Sequence, residues 1–139
     1  MASIKECRVI KLPTVLDDRG IATFVADKDI PFNIRRVYYL YHVPRGKSRG
    51  AHAHTKEKQV VVAVSGCFDV LLDDGRRRKR VRLDSPSKGL YIPPMIWREF
   101  HNFSKDGVLL AIVDDLLDKE EYIRDYENFK RVTLRNRKR

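Results

Sequence analysis

Between residues 34 and 115 the chain is a succession of short runs rich in β-branched and aromatic residues, each closed by glycine, proline or aspartate. IRRVYYLYHV at 34–43 opens the series, QVVVAVSG at 59–66 is a continuous apolar run ended by Gly66, and CFDVLLDDG at 67–75 closes on a DDG turn. Residues 78–85 alternate polar and apolar, and GLYIPP at 89–94, REFHNFS at 98–104 and VLLAIVDD at 108–115 keep the spacing. Strands this short, joined by tight turns at regular intervals, predict an all-β sandwich or closed barrel. One stretch breaks the pattern. DKEEYIRDYENFKR at 118–131 is polar, with Tyr122, Tyr126 and Phe129 spaced four and three apart, which predicts one face of a short helical segment near the C-terminus.

A chain of 139 residues, 42% of them hydrophobic, suits one domain with its own core. We assign it to residues 1–134 and expect 135–139 to be a loose basic tail. No apolar run approaches the ~20 residues of a membrane helix, and MASIKECRVIKL lacks the apolar stretch of a signal peptide. The expectation is therefore a cytoplasmic protein without membrane contact. Cys7 and Cys67 belong to no metal-spaced cluster and are expected to be free thiols, Cys67 as a small core residue.

The formal net charge is +10, much of it from Arg76–Arg80, Arg82 and Arg135–Arg139. Such charge can be solvated edge and tail, or a field that draws in an anionic small substrate. Nucleic-acid binding is the third option. It is not expected, because the sequence has no zinc finger, no RNP-type aromatic motif and no basic amphipathic helix.

RGKSRGAHAHTKEKQ at 45–59 carries the chemistry. Histidines at i and i+2 on an extended strand face the same way, so His52 and His54 either ligate a metal together or form an acid/base and its helper. Gly46-x5-His52-x-His54-x4-Gln59-x6-Gly66 resembles the first cupin motif, G-x5-H-x-H-x3,4-E-x6-G, with Gln59 where the glutamate ligand belongs. The second motif survives in outline around IPPMIWREFHN: Pro93 and Asn102 hold their positions, Met95 stands for the glycine and Arg98 for the histidine ligand. A guanidinium has no lone pair to give and would repel a divalent ion. His101 is three residues from Arg98 and faces the other way. The site is thus expected to hold no metal.

The ordered set DDRG at 17–20, IPFNIRRVYYL at 30–40, RGAHAH at 49–54, the LLDDG turn, LDSPSKGLYIPPMIW at 83–97 and YIRDYENFK at 122–130 resembles the bacterial sugar 3,4-ketoisomerases of the cupin superfamily. The resemblance implies a cupin-type jelly-roll β-barrel that converts dTDP-4-keto-6-deoxyglucose to a dTDP-3-keto-6-deoxyhexose, within deoxyaminosugar biosynthesis. The oxidation is internal, so no cofactor is needed. Proton transfer through an enediolate would fall to His52 or His54. Arg19, Arg49 and Arg98 are candidates to stabilise the enediolate, and Arg36 and Arg49 to bind the diphosphate. One of Tyr38 and Tyr39 faces inward, and Tyr38 is taken as the substrate contact. Trp97 either packs in the core or lines the sugar site, and Gln59 is expected to hydrogen-bond a histidine. The resemblance also implies a homodimer that exchanges N-terminal strands, with CRVIKLP at 7–13 as the candidate. A cupin sugar-nucleotide epimerase and a non-enzymatic sugar-binding cupin are the alternatives. The configuration at C4 of the product stays open, with Arg19 and Arg98 as plausible determinants.

Overall fold

The structure, a computed structural model, describes residues 2–116 and 121–138. Among these, twelve strands and one α-helix follow in order, beside two 3-10 turns at Ile4–Glu6 and Asp27–Asp29: β1 (Arg8–Lys11), β2 (Thr14–Asp17), β3 (Gly20–Thr23), β4 (Arg36–Leu40), β5 (Arg49–His54), β6 (Gln59–Ser65), β7 (Phe68–Asp73), β8 (Arg78–Leu83), β9 (Lys88–Ile92), β10 (Trp97–His101), β11 (Val108–Val113), β12 (Tyr122–Ile123) and α1 (Tyr126–Arg137). They form two five-stranded antiparallel sheets, β1-β9-β6-β11-β4 and β12-β5-β10-β7-β8, with β2 and β3 as a separate hairpin. This is the jelly-roll of a cupin.

Apolar side chains fill three layers. Val61, Val70, Leu72, Leu90, Leu109 and Phe100 meet between the sheets. Leu12, Ile30 and Phe32 cover the outer face of the first sheet against Val60, Val62 and Ile112. Strand β6 is therefore buried on both faces, which is why its sequence is a continuous apolar run rather than an alternation. On the outside of the second sheet, Phe129 of α1 packs against Ala53 and Trp97. Phe129 is completely buried and contributes on the order of 2 kcal/mol to holding the helix there.

The C-terminal segment differs from its sequence reading. The helix begins at Tyr126, and of the three aromatics Tyr126 and Phe129 lie on its inner face. Tyr122 and Ile123 are extended instead, paired with His54 and Ala53 of β5. The side chain of Asp125 accepts from the amide of Glu127 and caps the helix, so helical geometry starts after the pairing ends. Residues 118–120 of the expected helix lie outside the described residues. Of the expected loose tail, residues 135–137 belong to α1, and Nη2 of Arg137 donates to the Asp74 carbonyl at 2.7 Å; Arg139 lies outside the described residues.

Cys67 is half-buried in the β6–β7 turn rather than in the core, with its Sγ 3.0 Å from Nη2 of Arg82. Cys7 is buried, and its thiol is pushed up to about 11, chiefly by desolvation. The Arg78–Arg82 run is the edge strand of the second sheet, with Arg78 on Asp73 and Arg82 on Asp69 at 2.9 and 3.3 Å. Charge on an exposed edge deters strand pairing with another chain. Among the described residues no helix is long and apolar enough to cross a membrane.

Candidate active site

Strand β5 lies between β12 and β10 and starts irregularly. Gly50 has φ +90° and Ala51 +56°, opposite a register shift between Arg98 and Glu99. A Cβ on Gly50 would stand 3.0 Å from the Arg98 carbonyl oxygen, so this approach of β5 to β10 needs glycine. The strand then delivers His52 and His54 to the same side, ring centroids 4.7 Å apart and Nε2 to Nε2 3.0 Å.

The two histidines are not equivalent. His52 lines a cavity of about 490 Å³ together with Arg36, Tyr38, Arg49, Tyr122 and Arg124. His54 is completely buried behind it and does not line the cavity. Nδ1 of His52 is 3.0 Å from the Gly50 carbonyl, and that ring stacks on Tyr122 at 4.9 Å. Nδ1 of His54 is hydrogen-bonded to Oε1 of Glu121. Glu121 is itself buried, and its other oxygen accepts from the amides of Lys56 and Glu57 at 2.9 and 3.0 Å. Burial and then the Arg98 cation hold His52 at about 4 and push His54 still further below the ordinary histidine range. Glu57 is buried as well. It accepts from Arg36 at 3.1 Å through Oε1, while Oε2 stands 3.1 Å from Nε2 of His54 without a hydrogen bond. Desolvation and the nearby Glu121 push the Glu57 carboxyl up to about 7.

Gln59 hydrogen-bonds neither histidine, contrary to its sequence reading. Its Oε1 accepts from Nη1 of Arg98 at 2.9 Å, and its Nε2 donates to the Tyr38 hydroxyl at 2.9 Å. The group that hydrogen-bonds Nδ1 of His54 is Glu121 instead. Arg98 is completely buried, with Nε and Nη2 both donating to the Ile96 carbonyl. Trp97 faces the other side of β10, donates to Glu99 and packs against Tyr126 and Phe129, and it is not among the residues that line the His52 cavity. Arg19 sits on the β2–β3 turn, exposed and paired with Asp17 at 2.7 Å, away from the cavity of its own chain. Sequence reasoning missed Glu57, Glu121 and Arg124. Glu57 lies two residues from Gln59 in the motif and was within reach. Glu121 and Arg124 are carried to the site by the β12 pairing, which no local pattern announces.

Cupins commonly hold a metal between such histidines, and the donor set here can be tested for that. His54, Glu57 and Glu121 are the described group with ligand atoms close enough for an ion. They do not fit one: His54 turns Nδ1 toward Glu121 and Nε2 toward Glu57, so the carboxylates address different sides of the ring. The Arg98 cation beside them adds like-charge repulsion.

The FdtA family, described as WxcM-like, C-terminal, matches residues 5–134. The TDP-4-oxo-6-deoxy-alpha-D-glucose-3,4-oxoisomerase of Aneurinibacillus thermoaerophilus is 42% identical over 127 residues, 91% of each chain. The QdtA sugar 3,4-ketoisomerase of Thermoanaerobacterium thermosaccharolyticum, solved in complex with TDP, superposes with a TM-score of 0.93 at 34% identity, covering 96% of this chain and 98% of that one. The WlaRB TDP-quinovose 3,4-ketoisomerase of Campylobacter jejuni superposes with a TM-score of 0.87 at 40% identity, covering 92% and 99%. The chain belongs to the FdtA family.

Proposed function

We propose that the protein is a sugar-nucleotide 3,4-ketoisomerase acting on dTDP-4-keto-6-deoxyglucose. The observation that carries this reading is one cavity that brings together His52, the Tyr38 hydroxyl and three arginines, in a chain whose relatives are 3,4-ketoisomerases. Moving the ketone from C4 to C3 transfers two hydrogens within the sugar. The hydrogen on C3 goes to C4, and the proton on the C3 oxygen goes to the C4 oxygen. No electron leaves the substrate, so no redox partner is required.

Two carriers match the two transfers. His52 faces the cavity with an imidazole kept neutral by burial and Arg98, so it takes the C3 proton, passes through an enediolate and returns the proton to C4. Tyr38 accepts from Gln59, which leaves its own hydroxyl proton to donate into the cavity toward the substrate oxygens. Burial, then Glu57, raises the Tyr38 pKa and keeps that proton in place. Gln59 is oriented in turn by Arg98. Arg36, Arg49 and Arg124 line the same cavity and supply forked donors for the diphosphate. His54 supports His52 from behind.

We also propose a homodimer. CRVIKLP at 7–13 is already committed, since β1 pairs with β9 of its own chain. Among the described residues the β2–β3 hairpin forms a sheet of its own, and it carries Leu16 and Ile21 at 73% and 68% exposure, so it is the N-terminal element suited to cross to a second copy.

Proton NMR of dTDP-4-keto-6-deoxyglucose incubated with the protein tests the activity. A dTDP-3-keto-6-deoxyhexose should accumulate, and its C4 proton coupling reports the configuration. An unchanged substrate that still binds would favour the sugar-binding alternative.

A further inference from the structure

We infer that Glu121 is a positioning residue that keeps the base unblocked by fixing the tautomer of His54; the inference rests on His52 being the proton carrier. Three contacts define the problem. Nδ1 of His52 faces the Gly50 carbonyl, which can only accept, so a proton on that nitrogen satisfies the contact. Nε2 of His52 is then the nitrogen with a lone pair, and it faces Nε2 of His54 at 3.0 Å. If His54 carried its proton on Nε2, it would donate into that lone pair and occupy the base.

Glu121 prevents this. Its carboxylate draws the His54 proton to Nδ1 and leaves Nε2 without one; Oε2 of Glu57 stands 3.1 Å from that nitrogen but makes no hydrogen bond to it. The two bare nitrogens then face each other, Nε2 of His52 meets no donor from His54, and its lone pair stays free to take a proton from a substrate carbon.

The polarity of Glu121 is set by the backbone. Its second oxygen is engaged by the amides of Lys56 and Glu57, both obligatory donors. A glutamine at 121 must therefore turn its oxygen to those amides and its NH2 to Nδ1 of His54. That reverses the contact: Nδ1 becomes the acceptor, the His54 proton moves to Nε2, and His52 is blocked. The charged groups facing this cluster from other elements, Arg36, Arg98, Arg124, Glu57 and Asp115, stay in place, so the substitution changes one hydrogen-bond direction in a near-isosteric side chain.

The test uses histidine 15N NMR on the resting protein, together with kinetics of Glu121→Gln. The parent should show His54 as the Nδ1–H tautomer, and Glu121→Gln should show it as Nε2–H. The variant should lose about 100-fold in kcat, the scale of general acid–base catalysis, with KM and TDP affinity within about threefold of the parent. A parent His54 protonated on Nε2 would overturn the inference, as would a variant whose kcat stays within threefold of the parent. A variant that fails to fold leaves the decision to the parent's tautomer. That measurement needs no turnover, so it stands apart from the identity of the substrate.

Discussion

Nη1 of Arg98 donates to Oε1 of Gln59 at 2.9 Å in the buried centre of the barrel, joining the two positions at which a metal-binding cupin has a histidine and a glutamate ligand. A fixed cation and a neutral amide thus occupy those two positions. Dialysis against a strong chelator should therefore leave turnover unchanged. A loss restored by one particular divalent ion would contradict this.

The +10 charge divides by location. Arg36, Arg49 and Arg124 line the cavity, whereas Arg76 and Arg77 sit exposed on the β7–β8 turn. Replacing any one of the first three with Met should raise KM roughly tenfold or more, the scale of a lost charged hydrogen bond. Replacing Arg76 and Arg77 should change KM less than twofold. Capture should also weaken with salt. Steady-state kinetics across ionic strength separates the two sets, and the opposite ranking would place the binding surface on the wrong face.

Glu57 should lower stability as pH rises. Its pKa is raised from an ordinary 4.5 to about 7 by desolvation and Glu121. A raised folded pKa means stability that is fully present below about 4.5 and lost as pH climbs through about 7. Glu57→Gln removes that dependence. Between pH 4.5 and 8 the parent should lose stability relative to the variant, on the order of 2–3 kcal/mol. Denaturant unfolding at several pH values checks it, and a gap constant with pH would show that Glu57 titrates normally.

The exposed apolar hairpin predicts self-association. Light scattering at micromolar concentration should give twice the chain mass, and Leu16→Glu with Ile21→Glu should shift the population toward monomer. A parent that is monomeric at that concentration would rule the dimer out.

The strands of the barrel were legible because β-branched runs and turn residues are local signals, and the unbroken apolar run of β6 marks it as a strand. The start of the helix was not. The spacing of Tyr122 to Tyr126 fits a helical period, but Tyr122 has a partner in His54 across a strand pair, and the cap at Asp125 decides where the turns begin. The site divides the same way. His52, His54, Gln59 and Arg98 stand in motif positions, so their proximity could be read in advance. Which partner Gln59 takes depends on Tyr38 and Arg98 arriving from other strands. Glu121 comes from 67 residues away along the chain, and its role exists only once β12 has docked on β5.

In the proposed reaction His52 carries the proton between C3 and C4. The most direct measurement is the initial rate of dTDP-4-keto-6-deoxyglucose isomerisation by His52→Asn, followed by proton NMR alongside TDP affinity. Turnover should fall by about two orders of magnitude or more while TDP affinity stays within a fewfold of the parent. A His52→Asn protein that isomerises the substrate at the parent's rate would contradict it.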